Sequence, residues 1–217
     1  WDQARAVYGP GSVVRDVMAG LYAEQDITML AAYPVYFGGI SLNVENSNAG
    51  SVEPNGIKVR VPGIKSFQLT GEALGYIPSP IPFSEAFTAV QTGVVDGQEN
   101  TWSNIYTKKF FEVQDSTTET NHQALAYLFM TSTDFLDSLK PDVREKLIAI
   151  ADEVTQQANQ AVKAAEAKNR QNVLDSGGKI NELTPEQRQE WVDTMKPVWK
   201  MFEKDIGADL IEVAAKS

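Results

Sequence analysis

The chain has 217 residues, with 19 Lys and Arg against 29 Asp and Glu, a formal net charge of −10 at pH 7. Its 42% hydrophobic content is too high for a disordered chain of that charge, and this length builds one large domain or two small lobes with a sizeable core. The acidity argues against a sequence-independent grip on nucleic acid, and the lack of cysteine excludes disulfides, a thiol nucleophile and thiolate metal sites. The single histidine, His122, leaves little room for zinc chemistry or a conventional triad, so neither a metal nor a cofactor is expected. No apolar run approaches the ~20 residues of a membrane span, so membrane insertion is not expected either. The chain opens at Trp1 without an initiator Met and inside an element, so processing or truncation is expected to have removed a segment.

Residues 1–25 read as helix, with Val13, Val17 and Leu21 at helical spacing and an interruption at Gly9-Pro10-Gly11. Asp26–Tyr33 reads as a buried strand, and 36–50 as an extended connection rich in Gly, Asn and Ser. Asn55-Gly56 marks a turn into a strand whose Ile57, Val59 and Val61 share one face, with Lys58 and Arg60 on the other. Phe67–Leu74 follows as a short helix. Tyr76–Phe83, with prolines at 78, 80 and 82, reads as a strand edge or loop. Ser84 is expected to cap a helix over 85–92, and Val94-Val95 to begin another strand. The βαβαβ order predicts a sheet with crossover helices, and functional groups in such sheets gather outside the carboxyl ends of the strands. Arg60 and Asn100 both lie at such ends.

Ala124–Ser132 reads as a buried strand. Pro141 opens a helix of about 30 residues, with Val143, Leu147, Ile150, Val154, Ala158, Ala161 and Ala165 on one stripe. A helix of that length could brace two lobes. Thr184-Pro185-Glu186-Gln187 is a capping box that starts a terminal helical region through Trp191, Val198, Met201 and Phe202.

The run Phe83-Ser84-Glu85-Ala86-Phe87 through Gly93-Val94-Val95-Asp96-Gly97-Gln98-Glu99-Asn100 is highly specific. It resembles the signature of the substrate-binding proteins of TRAP transporters (tripartite ATP-independent periplasmic transporters). Lys58-Val59-Arg60-Val61-Pro62-Gly63, Ser103–Lys109 and Thr120-Asn121-His122 agree with the same family, over residues 25–217 in order. Asn100–Tyr106 looks most like the branch that takes four-carbon dicarboxylates.

The resemblance implies an α/β, two-lobed, periplasmic-binding-protein-like fold with a long lobe-spanning helix. Relatives carry further βα units ahead of Trp1, so the N-terminal part of lobe I is expected to be missing. The expected division is 1–37 in a partial lobe I, 38–125 in lobe II, 126–165 in lobe I and the long helix, 166–192 in lobe II and 193–217 in lobe I. The implied function is a non-catalytic periplasmic receptor, expected to be monomeric. It would capture a small carboxylate between its lobes and deliver it to TRAP membrane permease subunits. In the family the arginine of Arg-Val-Pro bridges to the ligand carboxylate, here Arg60. The asparagine ending Gln-Glu-Asn bonds the same region, here Asn100, and the aromatic before Ser-Glu packs on the ligand, here Phe83. Many relatives carry a second basic residue where this chain reads Tyr36-Phe37-Gly38-Gly39-Ile40-Ser41-Leu42-Asn43, with no Arg or Lys. Tyr36, Phe37 and Trp102 therefore join the candidate ligand-binding residues, and monocarboxylates or aromatic acids stay open as ligands.

By residue type alone each position also has a plainer role. Arg60 would suit a surface ion pair, Asn100 a turn, Phe83 core packing and Trp102 the packing of a lobe. Glu85 fits a helix N-terminus, Glu99 a structural hydrogen bond or ion pair, and His122 a hinge hydrogen bond. A small α/β enzyme using Glu85, Glu99 or His122 on a bound acid, or a ligand-binding sensory domain, are the competing readings.

Overall fold

The computed structural model describes residues 1–45 and 49–216, without the side chains of Arg5, Val35, Tyr36 and Lys216. In chain order the elements are α1 (Asp2–Tyr8), α2 (Val13–Ala23), β1 (Ile27–Tyr36), β2 (Gly39–Leu42), β3 (Lys58–Val61), α3 (Lys65–Ala73), β4 (Ile77–Pro80), α4 (Phe83–Gln91) and β5 (Gly97–Asn100). There follow α5 (Trp102–Thr107), a 3-10 turn at Phe110–Glu112, β6 (Ser116–Glu119), β7 (Leu125–Ser132), α6 (Thr133–Ser138), α7 (Pro141–Asp175), β8 (Lys179–Glu182), α8 (Pro185–Met201), α9 (Glu203–Ile206) and α10 (Ala208–Lys216). They divide into two units. One holds Trp1–Tyr36, Ala124–Ala164 and Ile206–Ser217, and the other Phe37–Gln123 and Ala165–Asp205.

In the first unit β1 and β7 pair antiparallel, with register shifts between Met29 and Ala31 and between Pro34 and Tyr36. Leu30, Leu136 and Ala151 form its core, with Leu139 and Leu147 packed against them. Arg15, on α2, donates from Nη2 to the Leu30 carbonyl at 2.8 Å and lies 3.7 Å from Asp152. The strand expected to be buried, β7, instead exposes Leu125, Tyr127 and Phe129, by 38, 58 and 45%. Its apolar composition reads as interior, but burial depends on what lies over a strand, and one sequence does not show that.

The second unit is built on a six-stranded sheet in the order β4-β3-β5-β2-β6-β8. β3 runs parallel to both β4 and β5, so β3-α3-β4-α4-β5 is the crossover arrangement that the element order predicts. The proline-rich β4 takes the sheet edge, where a missing N–H costs no ladder bond. One face packs Ile40, Leu42, Val59 and Val61 against Phe67 of α3 and Trp191, Met195 and Val198 of α8. The other faces Ala86, Ala89 and Val90 of α4, Ile105 of α5, Phe110 and Val173. Residues 193–205, expected in the first unit, lie in the second, because α8 is continuous from its capping box at Thr184 and carries Met195 and Val198 into this core.

Three local expectations shift. Ser84 does not cap α4, whose N-cap is Pro82 with no side-chain cap. Val94-Val95 is a turn, with Val94 60% exposed, and the strand is Gly97–Asn100 itself. The connection expected over 36–50 contains the strand β2, while residues 46–48 lie outside the described residues. β2, β6 and β8 are four-residue strands with no apolar alternation long enough to announce them. The long helix runs 35 residues, ~52 Å at 1.5 Å per residue, with 141–164 in the first unit and 165–175 in the second.

Candidate functional site

Strand alternation places the candidate residues before any side-chain contact is considered. Arg60 is the register partner of Gln98, Gln98 of Ser41, and Asn100 of Gly39. Arg60, Gln98, Ser41 and Asn100 therefore rise from one face of the sheet, opposite Val59, Val61, Ile40 and Glu99. Arg60 and Asn100 lie at or next to the carboxyl ends of β3 and β5, as the sequence predicts.

Arg60 is only 4% exposed. Its Nε donates to the Ile81 carbonyl at 2.7 Å, and its guanidinium carbon lies 5.5 Å from the centroid of the Phe83 ring. No carboxylate forms an ion pair with it among the described residues. Burial pushes its pKa below the ordinary arginine value, the direction expected of a cation withdrawn from water without a compensating anion. Buried cations are ordinarily paired. Phe83 opens α4, rests on Phe110 at 6.3 Å between centroids, and stays 39% exposed. Its ring lies against both Arg60 and Phe110.

Asn100 is 7% exposed. Its Oδ1 accepts from the Thr101 backbone N–H at 3.1 Å and from Asn104 Nδ2 at 2.6 Å, and its Nδ2 donates to Gln98 Oε1 at 3.0 Å. Asn104 is held in turn by the Thr101 hydroxyl, which caps α5 at the Asn104 N–H. Asn100 is thus no simple turn residue.

The aromatic candidates separate. Trp102 is 9% exposed in the core, its Nε1 donates to Glu119 Oε1 at 3.2 Å, and Arg170 sits 5.9 Å from its ring. Those contacts are of the kind a packing residue makes. Phe37 is half-buried in the link between β1 and β2, and its carbonyl accepts from the Gln123 N–H. Tyr36 ends β1 in the first unit, and its side chain lies outside the described residues.

The candidates Glu85, Glu99 and His122 do not converge on Arg60. Glu85 is exposed in the first turn of α4. Glu99 faces the apolar side of the sheet, with its Oε2 3.9 Å from His122 Nε2. His122 Nδ1 lies 2.6 Å from the Thr120 hydroxyl, and Arg188 Nη1 donates to the carbonyls of Thr120 and Asn121. Burial raises Glu99 to about 8, and burial together with the Arg188 charge lowers His122 to about 4. Both shifts favour the neutral form of their group.

Sequence reasoning missed Ser41, Gln98, Gln114 and Asn104. The signal was present in Gly97-Gln98-Glu99-Asn100, since three polar residues on a fully buried strand must find partners.

The chain is similar to proteins of known kind. Over 162 residues the chain is 50% identical to the C4-dicarboxylate-binding periplasmic protein DctP of Vibrio cholerae serotype O1, covering 75% of this chain and 49% of that protein. A TRAP periplasmic solute binding protein from Shewanella oneidensis, solved with bound succinate, superposes with a TM-score of 0.83 at 35% identity, over 99% of this chain and 68% of that one. A second, from Pseudomonas aeruginosa with bound L-malate, gives 0.74 at 31% identity, over 87% and 65%. The chain spans about half the length of the curated relatives it matches. Residues 13–205 match the family of bacterial extracellular solute-binding proteins, family 7, and the chain belongs to that family.

Proposed function

We propose that this chain is the carboxylate-gripping part of a periplasmic solute receptor that captures a small organic acid and hands it to a TRAP-type membrane transporter. The observation that carries the reading is Arg60, a buried guanidinium with no carboxylate partner among the described residues. A planar guanidinium matches a carboxylate through two parallel hydrogen bonds. Phe83 across its face keeps water away, and Asn100 on the neighbouring strand supplies a further N–H. Nothing in this set is poised to break a bond, so the reading is binding without catalysis. Four-carbon dicarboxylates are the first probes, because relatives at 45–50% identity are named for them.

Titration calorimetry with succinate on wild type and Arg60→Ala tests the assignment. Removing one partner of a buried charged hydrogen-bonded pair costs about 2–5 kcal/mol, so the variant is expected to lose measurable binding while keeping its circular dichroism. An affinity within threefold of wild type would overturn it. A thermal-shift screen of mono-, di- and aromatic carboxylates then selects the ligand, since a hundredfold excess over Kd stabilises by about 2.7 kcal/mol.

A further inference from the structure

Behind Asn100 stands a chain of side chains that, among the described residues, hydrogen-bonds to none of the expected ligand contacts except Asn100 itself. Asn100 Nδ2 donates to Gln98 Oε1 at 3.0 Å, and Gln98 Nε2 donates to Ser41 Oγ at 2.7 Å. Ser41 Oγ donates to Gln114 Oε1 at 2.7 Å, and Gln114 Nε2 donates to the Ser41 carbonyl at 2.5 Å. Ser41 and Gln98 are fully buried, and Gln114 is 6% exposed, so no water competes for these bonds.

The direction of the chain is not free. An amide side chain can turn over and exchange its donor for its acceptor, but a backbone group cannot. Here both ends are backbone. The Thr101 N–H enters at Asn100 Oδ1, and the Ser41 carbonyl terminates the run at Gln114 Nε2. Turning Asn100 over would face its NH2 to the Thr101 N–H. Turning Gln98 over would set its NH2 against that of Asn100, and turning Gln114 over would set two carbonyl oxygens together. Each reversal leaves buried groups unpaired, which is costly where the local dielectric is low.

The consequence falls on Asn100. An amide oxygen has two lone pairs, and both are taken by Thr101 and Asn104. One of the two Nδ2 protons is taken by Gln98. Among the described residues nothing takes the other, so a single N–H remains. We propose that Gln98, Ser41 and Gln114 form a positioning relay that holds Asn100 as a donor-only contact, so the ligand atom placed there must be an acceptor such as a carboxylate oxygen. This rests on Arg60 and Asn100 being ligand contacts. Together they offer N–H donors and no acceptor, which excludes an ammonium or a primary amide nitrogen from the position.

The test is Ser41→Ala, which removes the middle hydroxyl without adding charge and reaches neither Arg60 nor the ligand. Side-chain amide spectra of the 15N-labelled, ligand-free chain are the first readout. The Gln98 and Gln114 NH2 protons should be protected from exchange in wild type and lose that protection in the variant, with the Asn100 signals shifting two links away. The second readout is succinate affinity, expected to fall about tenfold in Ser41→Ala and to be largely restored in Ser41→Cys, whose thiol both donates and accepts. Unchanged amide spectra, or affinity within twofold of wild type in Ser41→Ala, would overturn the relay. Because the spectra need no ligand, the two ideas separate. A wild-type chain that shows the protected amides but binds no carboxylate defeats the carboxylate reading, and one that binds without them defeats the relay.

Discussion

Glu99 and His122 face each other across 3.9 Å on the apolar side of the sheet whose opposite side carries Arg60 and Asn100. Adjacent residues of β5 therefore serve opposite environments. Gln98 and Asn100 stand among polar partners, while Glu99 stands near Ile40, Val59 and Val61.

This pair gives the fold a defined response to pH. Between its ordinary value of 4.5 and about 8, Glu99 keeps a proton in the folded chain that the unfolded chain has lost, so stability falls as pH rises through that window. Between about 4 and the ordinary 6.5, the unfolded chain carries a proton on His122 that the folded chain lacks, so stability rises with pH there. The two slopes oppose each other from 4.5 to 6.5, and the Glu99 slope acts alone from 6.5 to about 8. Thermal midpoints measured from pH 4 to 9 should be level near pH 5–6 and decline above 6.5. Glu99→Gln should flatten that decline, and a wild-type profile level up to pH 8 would contradict the assignment.

Trp102 tests the division between packing and binding. Trp102→Phe keeps a ring in the core but removes the indole N–H, leaving Glu119 with Arg170 alone. Losing this part-buried hydrogen bond to a carboxylate costs about 1–3 kcal/mol, which chemical denaturation can resolve. Carboxylate affinity should stay within about twofold. A large loss of affinity at unchanged stability would return Trp102 to the ligand wall.

Gly97 controls the spacing of β5 and β2. A methyl group there would press on the Ser41 carbonyl and on the Leu42 side chain, within the pair that aligns Ser41 with Gln98. The carbonyl is backbone and cannot step aside, so Gly97→Ala should destabilise by about 1–3 kcal/mol, the usual cost of overpacking. The same substitution should loosen the Gln98–Ser41 bond and expose its amide protons to exchange. A stability equal to wild type would mean that the strands part without cost.

Much of the site was legible in the residues. Local chemistry determined the βαβαβ order, the start of α7 at Pro141, the capping box at Thr184 and the positions of Arg60 and Asn100 at strand ends. These depend on neighbours a few residues away, through hydrophobic alternation, fixed proline geometry and side-chain bonds to the nearest backbone. The resemblance of 58–63 and 83–100 to transporter-receptor segments pointed to the same two side chains.

Only the tertiary structure decided what those side chains are free to do. That no described acid pairs with Arg60 and that Trp102 is occupied by Glu119 depend on residues at least 17 positions away, and the run behind Asn100 passes from Gln98 to Ser41 across 57. Gln114 meets Ser41 across 73 positions, and Arg170 meets Glu119 across 51. Hydrogen bonds act over about 3 Å, whereas local sequence patterns extend only a few residues along the chain. The −10 charge of the whole chain could not reveal a buried guanidinium with no acid beside it among the described residues, because net charge says how much charge there is and only packing says where it is matched.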